Sequence, residues 1–165
     1  MKNIKSQESS AIWTGKKLAG SHNGTINLKA GLLNFEDGKL TNGSATIDMS
    51  SITVVDLTGE SKDKLEGHLK SEDFFSTEAN PEATLDFTEV AKKEEGVYDV
   101  TADLTIKGIT NPIHFELEAA ENEAKGTLVI DRTQYNIRYG SKSFFNDLGD
   151  NMIHDDFHVD IVLAY

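Results

Sequence analysis

Tyr98, Val100, Ala102, Leu104 and Ile106 are apolar, while Asp99, Thr101, Asp103, Thr105 and Lys107 stand between and after them. A two-residue period this long constrains the fold more than any other feature. Successive side chains of a strand point to opposite sides, so the run predicts a β-strand with one buried and one wet face. The pattern returns in Ile113, Phe115, Leu117 and Ala119, and again in Phe157, Val159, Ile161 and Leu163. It recurs in Ala45, Ile47 and Met49 and in Ile26, Leu28, Ala30 and Leu32, with weaker runs at 12–18, 83–90, 128–130 and 135–139. Asp37-Gly38 and Glu95-Gly96 read as hairpin turns, the first with the residue types of a type I′ turn. Residues 108–112 predict a further break, because Pro112 cannot donate to a ladder. Strands at this spacing, without alternating helices, predict an antiparallel all-β fold. The reading adopted is a barrel of about eight strands.

Residues 61–75, SKDKLEGHLKSEDFF, break the pattern. Leu65, His68 and Leu69 fall at helical spacing, which predicts one short helix from Lys62 to Ser71 with Ser61 as N-cap. A lone helix in such a chain plugs a barrel end or covers an edge strand.

A chain of 165 residues suits one domain. Residues 1–10, MKNIKSQESS, are read as a flexible N-terminus and 11–165 as the barrel. The net charge of −12, from 28 acidic and 16 basic side chains, repels phosphate backbones and argues against nucleic acid as a partner. No segment approaches the roughly 20 apolar residues of a membrane-spanning helix, so stable insertion is not expected. The first ten residues contain no apolar run of a secretory signal. If Met1 is the natural start, this predicts a cytoplasmic protein; a trimmed leader would place it in the periplasm. A homodimer is left open.

Several segments resemble one family when taken in order. They are IDMSSI at 47–52, GHLKSEDFF at 67–75, PEATLDF at 81–87, DLTIKGITNP at 103–112 and DRTQY at 131–135. Together they resemble the YceI-like family of bacterial proteins from about residue 13 to 163. The resemblance implies a lipocalin-like barrel that binds polyisoprenoids or similar long amphiphiles in an elongated cavity. It implies no cofactor, no metal and no catalytic residues.

In such a barrel the inward rows are the candidate lining: Ile47, Met49, Val100, Leu104, Ile106 and Phe115. The aromatic and neighbouring positions Trp13, Phe35, Phe87, Tyr135, Ile137 and Tyr139 join them, as do His68, Phe74 and Phe75 beside the helix. Strands of about nine residues span roughly 30 Å, long enough for an extended prenyl or acyl chain. His68 is either a polar contact to a ligand head or part of a plain closure. Arg132 and Arg138 are the only arginines and, with Lys142, the candidate contact for an anionic head. The competing reading is that Arg132 pairs with Asp131 or Asp147 and pins a bend. A ligand head is expected to be neutral, held by Tyr, Asn or His, because the chain as a whole is acidic. His154, Asp156 and His158 share one face of a strand and could ligate a metal, but the wet face of an ordinary strand looks the same. No nucleophile elbow or phosphate-cradling loop is present. The expectation is therefore a non-enzymatic carrier or store for a polyisoprenoid, quinone or fatty-acid derivative. The alternatives are an isomerase or cyclase on the same barrel, or a filled barrel serving as a stress or scaffold protein.

Overall fold

A computed structural model describes residues 1–18, 20–145 and 152–165. Among these, the strands are β1 (Lys2–Asn3), β2 (Ser10–Lys17), β3 (Gly20–Glu36), β4 (Lys39–Val54), β5 (Glu82–Glu94), β6 (Val97–Ile106), β7 (Ile109–Ala119), β8 (Glu123–Asp131) and β9 (Ile153–Ala164). One α-helix, α1 (Gly59–Lys70), follows β4. The sheet order is β1-β3-β2-β9-β8-β7-β6-β5-β4, and β4 pairs back with β3. Eight antiparallel strands thus close on themselves, which removes every exposed sheet edge except where pairing lapses.

Hairpin chemistry explains much of this connectivity. Asp37 and Gly38 both have positive φ (51° and 77°), the backbone of a type I′ turn between β3 and β4. Lys107 and Gly108 repeat it, at 54° and 74°, between β6 and β7. The break expected at 108–112 is therefore confined to that turn. Pro112 lies inside β7, opposite Asp103. It is tolerated because β7 meets β8 only through Leu117, Glu118 and Ala119, so near Pro112 no neighbour on that side needs its missing N–H.

The long strands β3 and β4 change register where they bend. Their pairing shifts between Thr25 and Asn27 and between Leu28 and Ala30. The inward row of β3 consequently passes from Leu28 to Leu33, leaving Ala30 exposed and Leu32 only half-buried. The single alternating set read across Ile26 to Leu32 is corrected by this bulge. The helix begins at Gly59 with Thr58 as N-cap, and Ser61 lies within its first turn. The helix is tied to the barrel by Glu66, whose carboxylate accepts from the Val54 N–H at 2.9 Å.

Residues 1–10, set apart in the sequence as an arm, carry β1, which pairs with β3 at Leu32 and Leu33. Ile4 is buried, and a Cβ at Gly31 would come within 2.7 Å of its side chain. The glycine gives Ile4 its seat.

Candidate functional site

The barrel interior is divided into a packed half and a hollow half. At the packed end Phe87 meets Phe115 edge-on, with ring centroids 5.9 Å apart, and Phe35 meets Tyr165 at 5.6 Å. Leu33, Val100 and Leu117 have no more than 1 % exposure there. Such aromatic pairs fill the cross-section with favourable ring geometry. Toward the other end the interior opens into a cavity of about 380 Å³, a size typical of small-molecule sites. Its lining follows β2 from Ala11 to Lys17, about 20 Å at roughly 3.3 Å per residue. Along β9 the lining runs from Ile153 to Leu163, nearly the whole strand.

β6 shows the division within one strand. Leu104 and Ile106 line the cavity, while Tyr98, Val100 and Ala102 are buried outside it. Of the lining expected from sequence, Trp13, Ile47, Met49, His68, Phe74, Phe75, Leu104, Ile106 and Tyr139 contribute walls. Phe35, Phe87, Val100 and Phe115 do not border the cavity and pack in the filled half instead. Tyr135 and Ile137 are fully buried elsewhere. They belong to residues 132–140, which form a 3-10 turn (Arg132–Tyr135) and irregular backbone rather than a strand. This segment seals the seam left where β7 and β8 part. Asn111 of β7 donates to the Gln134 carbonyl at 2.9 Å, and Lys107 donates to the Asn136 carbonyl at 3.3 Å.

The mouth is covered by α1 and an aromatic cluster. The His68 ring stands edge-on to Phe74 (4.8 Å) and Tyr139 (4.5 Å), and its Nε2 is 3.3 Å from Asp73. Phe75 packs edge-on to Phe157 at 6.0 Å, bracing the cluster against β9. His68 thus both packs in the closure and borders the cavity.

Arg132 also borders the cavity, but its guanidinium is already engaged. Nε donates to the His154 carbonyl (2.9 Å), and the terminal nitrogens to those of Ile137 (3.0 Å) and Ile153 (3.1 Å). Arg132 pins the bend through backbone carbonyls rather than through an ion pair with Asp131; Asp147 lies outside the described residues. Burial draws its pKa downward, opposed by the charges of Asp155 and Asp131. Asp131 instead caps the 3-10 turn by accepting from the Thr133 N–H. Arg138 is exposed, with its guanidinium 4.5 Å from the centre of the Phe144 ring, and does not line the cavity. Lys142 faces a separate shallow groove together with Asp131, Asp155 and Asp156. Of the anion contact expected from Arg132 and Arg138, Arg132 alone borders the cavity.

A different set of donors surrounds the mouth. The register between β2 and β9 breaks between Gly15 and Lys17, and the consecutive residues Lys16 and Lys17 both reach the rim, as do Ile153 and His154. His22 joins them, its Nδ1 2.8 Å from Asp56. Burial pushes the Asp56 carboxyl up, but hydrogen bonds from His22 and the Asn23 N–H outweigh it and hold the carboxyl below its ordinary range. Among the described residues, the cavity lining contains no aspartate or glutamate, in a chain that has 28. Sequence reasoning missed Lys16, Lys17 and His22; the only signal was their position beside the turn between two strands.

Among the described residues no three histidine, cysteine or acidic side chains are placed to hold a metal ion. Asp156 and His158 lie on the outer row of β9, opposite Phe157 and Val159, while His154 reaches the cavity rim. No described helix is long and apolar enough to cross a membrane.

A closed antiparallel barrel with an apolar cavity belongs to the lipocalin-like class of folds. The YceI-like domain family model matches residues 3–165, and the chain belongs to that family. Over 117 residues it is 35% identical to a UPF0312 protein of Photorhabdus laumondii, covering 64% of this chain and 57% of that one. Over 64 residues it is 42% identical to Protein YceI of Escherichia coli O157:H7, covering 39% and 31%. The chain thus spans about half, or less, of the length of these relatives. Among solved structures it is similar to Burkholderia cenocepacia BcnA, with a TM-score of 0.80 at 21% identity, covering 98% of this chain and 99% of that one. It is also similar to a polyisoprenoid binding domain from Saccharophagus degradans, with a TM-score of 0.67 at 18% identity over 98% and 95% of the two chains.

Proposed function

We propose that the protein binds, stores or carries one long-chain amphiphile, with the chain inside the barrel and the polar head at the mouth. The observation that carries this is the cavity itself, apolar along its walls, with Lys16, Lys17 and His22 among the few polar groups of its lining. Each buried methylene contributes about 0.8 kcal/mol, so a chain filling the cavity has ample gross driving force, partly offset by the entropy of ordering it. A polyisoprenoid, quinone or fatty-acid derivative fits this chemistry, and the naming of the Saccharophagus degradans domain favours the first. The donor rim also supports an oxygen-rich or anionic head, in place of the strictly neutral one expected from net charge.

Binding is preferred to isomerase or cyclase chemistry because the titratable lining groups sit at the rim, away from the apolar floor. The cavity also argues against a filled scaffold. Organic extraction of freshly purified protein, followed by mass spectrometry, tests the proposal. A long-chain compound near one per protein is the expected result. A protein that yields none, and binds none of a prenyl, a quinone and an acyl probe, would favour the scaffold instead.

A further inference from the structure

His22 of β3 borders the cavity directly opposite Gly15 of β2, which on its other side pairs with Phe157 of β9. Between two side chains that both line the cavity, the middle strand thus contributes none. A Cβ placed at Gly15 would meet no atom within 4 Å, so the space beside the imidazole is open. The ring is held in one proton arrangement. Its Nδ1 lies 2.8 Å from one Asp56 carboxylate oxygen, and the other oxygen accepts from the Asn23 N–H at 3.2 Å. An ionised carboxylate can only accept, so Nδ1 carries a proton and a neutral His22 keeps its lone pair on Nε2. Among the described residues two polar side-chain atoms are sealed in without a partner, Trp13 Nε1 and Tyr135 Oη. His22 Nε2 also makes no hydrogen bond there, but it is not sealed in, and the side chain keeps 28% exposure. Lys16 and Lys17 follow Gly15 along β2 and border the same end of the cavity. An open acceptor thus stands beside two ammonium donors.

We propose that this end of the cavity selects an amphiphile whose head carries a hydroxyl, which donates to His22 Nε2 while its oxygen accepts from Lys16 or Lys17. This rests on the amphiphile-binding reading and names the head. A quinone, an ester or an ionised carboxyl can only accept, so it matches the lysines and leaves Nε2 without a donor. A hydroxyl matches both, because one oxygen carries a proton and two lone pairs. Asp56 is the positioning residue. Without a carboxylate beside Nδ1 the ring proton is free to move to Nε2, and the acceptor becomes a donor.

The probes are dodecanol and methyl undecyl ether, isomers that differ only in whether the oxygen carries a proton. Both are delivered to the full chain from cyclodextrin at about pH 8.5, above the range in which histidine ordinarily titrates. The alcohol-to-ether affinity ratio of the wild type is expected to fall about five- to ten-fold in His22→Phe, the worth of one hydrogen bond. It is expected to fall in Asp56→Asn as well, with ether affinity unchanged, which a merely structural role for the pair would not produce. Should His22→Phe not fold, Asp56→Asn decides, together with the imidazole nitrogen spectrum of the wild type. There dodecanol is expected to move the Nε2 resonance of His22, and the ether is not. A ratio unchanged in both variants, or an Nε2 resonance that ignores bound dodecanol, overturns the His22 assignment while leaving the carrier reading intact. Laurate that binds more tightly than dodecanol, equally in wild type and Asp56→Asn, would make the lysines the readers of the head and overturn it too. If none of the three probes binds, both the assignment and the carrier reading fail.

Discussion

Leu104 and Val100 share the inward face of β6, yet a tryptophan at each is expected to have a different outcome. Leu104 borders open cavity, so Leu104→Trp has room to extend into it. The same holds for Ile106→Trp. Both variants should lose bound ligand while keeping most of their stability. Val100 is fully buried in the packed half, where overpacking costs typically about 1–3 kcal/mol or more. Thermal unfolding with ligand titration separates the two: if Leu104→Trp destabilises as much as Val100→Trp, the cavity is not open at that wall. Gly24 makes a harsher test. Its Cβ would collide with the Thr53 carbonyl, a backbone atom that cannot swing aside. Gly24→Ala should cost at least about 2 kcal/mol and change the fluorescence of Trp13 through its ring contact. A variant with wild-type melting and emission would contradict this packing.

At the scale of elements, the weak point is the seam between β7 and β8, and residues 132–140 are its seal. Arg132 ties the seal to β9 by donating to the carbonyls of Ile137, His154 and Ile153. Arg132→Gln leaves most of them unpaired in a buried setting and should cost at least about 3 kcal/mol, read as a lower denaturation midpoint. A clip beside it is acid-sensitive. Ser141 and Ser143 both donate to the Asp155 carboxylate. Burial pushes the Asp155 carboxyl up, but these bonds and the Arg132 charge outweigh it, so its folded pKa lies below the ordinary value. A depressed carboxyl contributes stability above its unfolded pKa of about 3.9 and loses it as pH falls through the lower folded value. The stability gap between wild type and Asp155→Asn should therefore be full near neutrality and shrink below about pH 4. A gap independent of pH would mean that the clip does not depend on charge. The seam also shows where sequence reasoning ends. β6 is legible because one period governs its whole length. Tyr135, Ile137 and Tyr139 have that same period, yet they occupy irregular backbone, because the partner that would make them a strand is missing along most of β7. Ala30 and Leu32 fail for a related reason, a bulge set by the β4 register rather than by local residues. The inward face was readable; the boundary between floor and cavity was not, since it depends on which aromatic rings meet across the barrel.

For the molecule as a whole, the proposed ligand binding is coupled to folding. A ligand at 100 times its Kd adds about 2.7 kcal/mol to a protein that binds only when folded. For a chain of this size that corresponds to an increase in Tm of roughly 5–10 °C. Protein stripped with organic solvent and refolded should melt lower than freshly purified protein, and a matched amphiphile should restore the difference. Identical melting before and after stripping would show that nothing bound was lost. The aromatic packing across one half of the barrel has a consequence for the carrier reading proposed above. A barrel open at both ends could be threaded, taking cargo at one end while releasing it at the other. A chain admitted and released only through the helix-capped mouth would leave by the route it entered, tail last. On that reading donor and acceptor would dock at the same rim and not together, and a shuttle would work by turns.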